Sequence, residues 1–388
     1  MGYYSEYLDR KLDAKGMADE RKQQLRRISE LRGGRDVLVY ATDMDKLNVP
    51  AALLNIAYGD LVPFHDQLSN LHGTQLDLIL ETGGGSGEVA EDIVRSVHKR
   101  YESVAIIVPG WAKSAGTIIA MAGDEILMEP ASSLGPIDAQ ISWQGKVFSA
   151  DALIEGMEKI KREVVATGTL NRAYIPMLQA LSPGDLQSAE NALGFAQTLV
   201  ADWLARYKFR SWERHSHTGE VVTDEEKSGR AEEIARELCN HKKWLTHGRS
   251  IKMDDLEASG LRITDYSTQP HLAEAIRRYH TLVQMMFDST HVYKLFETPS
   301  SQILKFAAPV IPQPQEADAV VIGVTCPKCS TVSKVQANLK KSPLQPGHNR
   351  FPADNRFMCP ACNAEIDLTD ARRQVEVQSK RSLTDDYA

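Results

Sequence analysis

Residues 75–108 read QLDLILETGGGSGEVAEDIVRSVHKRYESVAIIV, and residues 109–129 continue PGWAKSAGTIIAMAGDEILME. Gln75 to Leu80, Val104 to Val108 and Glu125 to Glu129 are short apolar runs, and helical patterns from Gly87 to Arg100 and from Ser114 to Met121 lie between them. This alternation predicts parallel strands joined by crossover helices, because a parallel neighbour can be reached only by returning the chain to the same end of the sheet. Upstream, Asp36 to Tyr40 (DVLVY) supplies another strand. A charged helix from Asp19 to Leu31 precedes it, with Leu25, Ile28 and Leu31 at helical spacing and Gly33-Gly34 as its stop. Binding residues in such an α/β fold belong on the loops at strand ends.

Two of those loops carry chemistry. Gly83, Gly84 and Gly85 stand between a strand and a helix, where the missing side chains let backbone amides approach a ligand. No Lys-Ser/Thr follows them and no GxGxxG is present, so neither a phosphate loop nor a dinucleotide fingerprint is read here. A tight turn that merely needs glycine would look the same. In the next strand-turn-helix, Ser114 begins the helix and is followed by Ala115 and Gly116. Its hydroxyl is expected at a helix start among unpaired amides, a position that a plain N-cap serine also occupies.

Taken together, TGGGS (82–86), KSAGTIIAMAGDEI (113–126) and SSLGPID (132–138) resemble the ClpP/crotonase superfamily of serine peptidases. The closest likeness is to the soluble serine dehydrogenase proteinase family, relatives of signal peptide peptidase A without its membrane segment. The likeness runs from about Asp36 to Tyr266. It implies a ClpP/crotonase-like spiral of parallel strands with crossover helices, a peptide or protein substrate and a homo-oligomer. It also implies Ser114 as nucleophile, with the amides of Gly85 and Ala115 as the oxyanion hole, an arrangement that supplies a large share of acyl-transfer catalysis.

A serine hydroxyl needs a neighbour to take its proton. The Clp subunit uses a histidine soon after the serine, but no histidine occurs here between His98 and His215, whereas signal peptide peptidases use a lysine. In the helix starting near Ser149, Lys161 falls on the stripe of Leu153, Met157, Ile160, Val164 and Val165, while Lys159 lies between Glu155 and Glu163. Desolvation lowers a lysine's pKa and neighbouring carboxylates raise it, so the expected base is Lys161, in a Ser-Lys dyad. His247, in THGRSIKMDDLEASGL, is the alternative base, since this stretch resembles the segment that holds the Clp subunit's third catalytic residue. Asp138 is read as structural, and Lys113 as pointing away from the site.

CPKC at Cys326 and Cys329 and CPAC at Cys359 and Cys362 form two CxxC knuckles, the spacing of a tetrahedral four-thiolate Zn²⁺ site of structural type. The lysines and arginines between them would also suit a nucleic acid, but an acidic protein or plain solvent suits them as well. Cys239 is read as a buried small hydrophobe.

The organisation expected along the chain is an N-terminal helical segment (1–34), a peptidase domain (35–268) and a helical extension (269–308). A Pro-rich linker (309–318), a zinc ribbon-like unit (319–375) and a polar tail (376–388) follow. With 388 residues, 42% apolar and 25% charged, the composition is that of a globular protein, and its net charge of -7 gives no drive toward phosphate backbones or anionic membranes. No secretion signal or membrane span is read, and the few cysteines suit a reducing compartment, so a cytoplasmic location is expected. A second function class remains open at this point: a catalytically inactive crotonase-like scaffold that recruits a protein or nucleic-acid partner through its ribbon.

Overall fold

The structure is a computed structural model that describes residues 2–143, 146–215, 218–307, 318–379 and 381–387. It divides into two compact units, Met1–Ala308 and Pro309–Ala388. The boundary falls in the proline-rich segment expected as a linker, of which residues 309–317 lie outside the described residues.

The first unit is built on strands β1 (Asp36–Thr42), β2 (Gln75–Glu81), β3 (Ser103–Ile107), β4 (Glu125–Met128), β5 (Thr264–Asp265), β6 (Val292–Glu297) and β7 (Gln302–Phe306). They form one sheet in the order β7-β6-β1-β2-β3-β4-β5. Strands β1 to β5 are parallel, with Val39 opposite Ile79, Leu78 opposite Ile106 and Ile106 opposite Ile126. Strands β6 and β7 are antiparallel, with Tyr40 opposite Phe296 and Phe296 opposite Ile303. The segment 269–308 is therefore not wholly helical as expected. Its helix, Pro270–Ser289, stops, and the chain returns as the two strands that complete the sheet. Every residue of β6 is buried, so its pattern lacks the alternation that marks a half-buried strand.

Both faces of the sheet are covered. Leu38, Leu78, Ile106 and Ile126 point into a core shared with α2 (Gly87–Arg100), α3 (Ala115–Met121), α5 (Pro183–Trp203) and α6 (Asp224–Cys239). Val37, Val39, Ile79, Ile107 and Leu127 face α1 (Ala14–Leu31) and α7 (Pro270–Ser289). A further helix, α4 (Ala150–Thr167), follows a hairpin of Gln140–Trp143 with Lys146–Ser149, which the sequence pattern does not announce. Among the described residues no helix is long and apolar enough to cross a membrane.

The second unit pairs β8 (Ala319–Thr325) with β9 (Val332–Asn338), and β10 (Arg356–Met358) with β11 (Glu365–Asp367), around Val324, Val335, Phe351, Phe357 and Leu368. The expected tail is tied down: Thr384 N–H donates to Asn338 O at 2.9 Å, and the Tyr387 hydroxyl donates to Gln336 O at 2.7 Å. The side-chain amide of buried Asn338 donates in turn to Asp386 O at 3.0 Å.

Ile106, 1% exposed at the centre of the parallel strands, tests the core. Ile106→Ala is expected to lower the unfolding free energy of the first unit by about 2–5 kcal/mol, read from urea denaturation.

Candidate active site

The two loops singled out in the sequence leave adjacent parallel strands, β2 and β3, at the same end. They are bonded to each other: Thr82 N–H donates to Trp111 O at 3.0 Å, and Lys113 N–H donates to Thr82 O at 2.9 Å. This brings the serine turn against the glycine turn so closely that a Cβ on Gly84 would lie 2.6 Å from Ser114 Cβ. Gly84 has φ +100° and Gly85 φ +147°, conformations that L side chains rarely adopt, so the glycines are required on two counts. Gly116 fits for a similar reason, since a Cβ there would meet Thr82 Cγ2 at 2.5 Å.

Ser114 itself has φ 51° and ψ -118° at the N-cap of α3, and its side chain caps no amide. A non-glycine residue there is strained, and such strain is retained where the surroundings over-determine it. The hydroxyl is thus withheld from the ordinary capping role. Ala115, the first helical residue, has an amide with no intrahelical acceptor. The Gly85 amide makes no hydrogen bond among the described residues.

Ser114, Ala115 and Gly85 line one cavity of about 520 Å³. Its walls include Ile118, Ile137 and Phe195, the last reaching over from α5, and its titratable lining residues are Glu88 and Asp138. The Glu88 carboxylate accepts from Ser86 Oγ at 2.7 Å, which with the backbone amide holds it below the usual carboxylate range.

Asp138 carries more than the structural role read for it. It is 1% exposed, and its carboxylate meets His247 Nδ1 at 2.7 Å, His241 Nδ1 at 3.0 Å and Gln140 Nε2 at 3.1 Å. Burial pushes its pKa up, and the hydrogen bond and charge of His247 outweigh that, holding it below the usual carboxylate range. The signal in the sequence was the pair His241 and His247, which periodicity cannot connect to residue 138.

Lys161 is placed differently from the expectation. Its side chain is 71% exposed and paired with Glu158 at 3.1 Å, and it does not line the cavity. Ile160 is the buried residue of that turn, so the desolvation asked of Lys161 is absent. Lys159 is exposed as well. Lys113 turns away from Ser114's cavity: its ammonium donates to Leu134 O at 2.7 Å, Ser250 Oγ at 3.0 Å and Arg249 O at 3.3 Å. Burial, with the charge of Lys252, pulls its pKa down to about 8. Cys239 is buried, which pushes its thiol up to about 12 and leaves it inert.

In the second unit the two knuckles have the same backbone. Ser330 N–H donates to Cys326 O and Asn363 N–H to Cys359 O, each at 2.9 Å, with Ser330 at φ 58° and Asn363 at φ 53°. Their four sulfurs lie within 4.8 Å of one another. Cys326 Sγ is 3.6 Å from Cys362 Sγ, and Cys329 Sγ is 3.7 Å from Cys359 Sγ. Those separations are too long for disulfides, at about 2.05 Å, and match the edge of about 3.8 Å of a tetrahedron with metal–sulfur bonds of about 2.3 Å. The four thiols can hold one metal ion.

Parts of the chain are similar to known proteins. A family model described as "ClpP-like SDH-type serine proteinase" matches residues 8–177. Two uncharacterized proteins of Methanocaldococcus jannaschii are similar to parts of the chain. MJ1495 is 29% identical over 27% of this chain and 36% of its own length, and MJ0137 is 33% identical over 22% and 28%. The chain thus spans about a third of the length of the curated relatives it matches. Two solved structures of the 1510-N membrane-bound stomatin-specific protease also align. One is 14% identical over 54% of this chain and 74% of that one, with a TM-score of 0.31. The other, in complex with a substrate peptide, is 18% identical over 53% and 66%, with a TM-score of 0.29.

The Asp138 carboxylate gives a pH signature. With its folded-state pKa lowered, its contribution to stability is complete above the ordinary carboxylate range and is lost as pH falls through the folded value. Asp138→Asn is expected to lower Tm at neutral pH, and the gap to the unmodified protein is expected to shrink below about pH 4, read by thermal melts across pH.

Proposed function

We propose that the protein is a serine peptidase acting at the Ser114 cavity, a reading supported by the match of residues 8–177 to the family model of ClpP-like SDH-type serine proteinases. One observation carries the reading: a serine held at positive φ lines the same cavity as Gly85 and Ala115, on two turns bonded to each other. Ser114 Oγ attacks the scissile carbonyl carbon, and the amides of Gly85 and Ala115 receive the developing oxyanion. The carbon–nitrogen bond then breaks, the amine leaves with the proton taken from Ser114, and water hydrolyses the acyl-enzyme by the reverse path.

The proton acceptor is His247, the alternative base of the sequence analysis, in place of Lys161. The supporting observation is the Asp138–His247 contact, which touches the cavity through Asp138. Donation from Nδ1–H to Asp138 leaves Nε2 as the accepting nitrogen, and the carboxylate stabilises the imidazolium that forms. Lys161 has no comparable connection to the cavity. The substrate is a peptide or protein, and an assembly of several copies is part of the reading, supported by the exposure of Leu47, Tyr58 and Val62. Light scattering that finds single chains only would remove the assembly.

The variants separate the roles. Ser114→Ala is expected to abolish labelling by a fluorophosphonate probe and to reduce peptide hydrolysis by at least about 10⁴-fold. His247→Ala is expected to lower kcat by about 10³- to 10⁴-fold, while Lys161→Ala stays within about twofold. The reverse pattern would return the base to Lys161. Full biological activity in Ser114→Ala would replace the peptidase with the scaffold reading.

In the second unit the metal is zinc, the ion that a closed four-thiolate shell suits best, bound by Cys326, Cys329, Cys359 and Cys362 in a structural role. Elemental analysis is expected to find about one zinc per chain and none in Cys359→Ser, with residues 318–387 becoming protease-sensitive after chelation. A ribbon that stays resistant without metal would contradict this role.

A further inference from the structure

The glycine turn is held from behind. Ile56 N–H donates to Gly84 O at 2.7 Å, and Ser86 N–H donates to Ile56 O at 3.0 Å, so the residues on both sides of Gly85 are tied to one segment. A Cβ on Gly85 would lie 2.4 Å from both Ile56 N and Ile56 O, which leaves no slack between segment and turn. The direction of the Gly85 amide is therefore set by wherever Asn55, Ile56 and Ala57 are fixed.

That segment is fixed by charge. The Asp60 carboxylate accepts from Ala57 N–H at 3.0 Å, Tyr40 OH at 2.9 Å, and the ammonium groups of Lys294 and Lys305 at 2.7 Å each. Lys294 also donates to Asn55 O at 2.6 Å, and Lys305 to Gly59 O at 2.8 Å. Asp60 and Lys294 are each 1% exposed. The arrangement is costly: Lys294 of β6 stands directly opposite Lys305 of β7, like charges in register, with one carboxylate between them. A buried pair such as Asp60–Lys294 is often no more stabilising than apolar residues of similar volume, so its presence here calls for another explanation.

We propose that Asp60, with Lys294 and Lys305, is a positioning cluster for the oxyanion hole, acting through Asn55–Ala57 on the Gly85 amide. None of the three lines the Ser114 cavity, so they are positioning residues and not catalytic ones. The inference rests on the peptidase reading above. Displacing one oxyanion donor by a fraction of an ångström weakens the transition state while leaving ground-state peptide binding nearly untouched.

The test combines active-site titration with steady-state kinetics on the full chain. Asp60→Asn and Lys305→Met, the latter at a side chain 26% exposed, are each titrated with a fluorophosphonate and assayed on a peptide substrate. The expected result is a full complement of titratable Ser114 with kcat lowered by about 10- to 100-fold, KM within about twofold and an unchanged pH profile. A purely structural role gives the opposite: fewer titratable sites, each turning over at the unmodified rate. That outcome, or full sites with unmodified kcat, overturns the proposal. Should Asp60→Asn fail to fold, Lys305→Met decides alone. An unmodified protein that titrates no Ser114 at all sinks the peptidase reading itself, and this inference with it.

Discussion

The close approach of two backbone turns constrains the rest of the first unit. Thr82 exchanges hydrogen bonds with Trp111 and Lys113, and the resulting spacing leaves no room for a side chain at Gly84 or Gly116. Adjacent parallel strands make this possible, because β2 and β3 end side by side and deliver both turns to the same edge. The sheet, with α1 and α7 on one face and α2, α3, α5 and α6 on the other, keeps those two ends in register. A strained Ser114 is affordable only inside such a frame.

The charges divide into those that build the frame and those that face the cavity. Arg21 of α1 on Glu297, and Arg32 and Arg35 from the turn between α1 and β1 on Asp77, tie this part of the chain to buried carboxylates of the sheet. Asp138 does something different: it is buried, borders the cavity and is shared by two histidines from the segment after α6. A carboxylate so supplied with donors is fixed in position and ionised, which is what an imidazole on it requires for a defined tautomer.

The sequence made the parallel core legible because β1 to β4 are short apolar runs punctuated by glycine and proline, and α2 has a clean amphipathic stripe. The glycine and serine turns were legible for the same reason that they are constrained: few residues fit there. The cysteines declared their site through spacing alone. What stayed hidden depends on distant partners. β6 follows a helix and is buried on both faces, so its pairing with β1 and β7 is what makes it a strand. Lys161 shares an apolar stripe in sequence, but α4 buries Ile160 and leaves the lysine in water. His247 reaches Asp138 from 109 residues away, a contact that no local pattern encodes.

In the proposed reaction an oxyanion on a Ser114-bound carbon sits between the amides of Gly85 and Ala115. A crystal structure of the protein treated with a peptide aldehyde or boronate tests it most directly. The expected result is a tetrahedral adduct on Ser114 Oγ with one oxygen about 2.7–3.1 Å from both amide nitrogens. An adduct whose oxygen points to solvent, or a Ser114 that remains unmodified while another residue reacts, would contradict it.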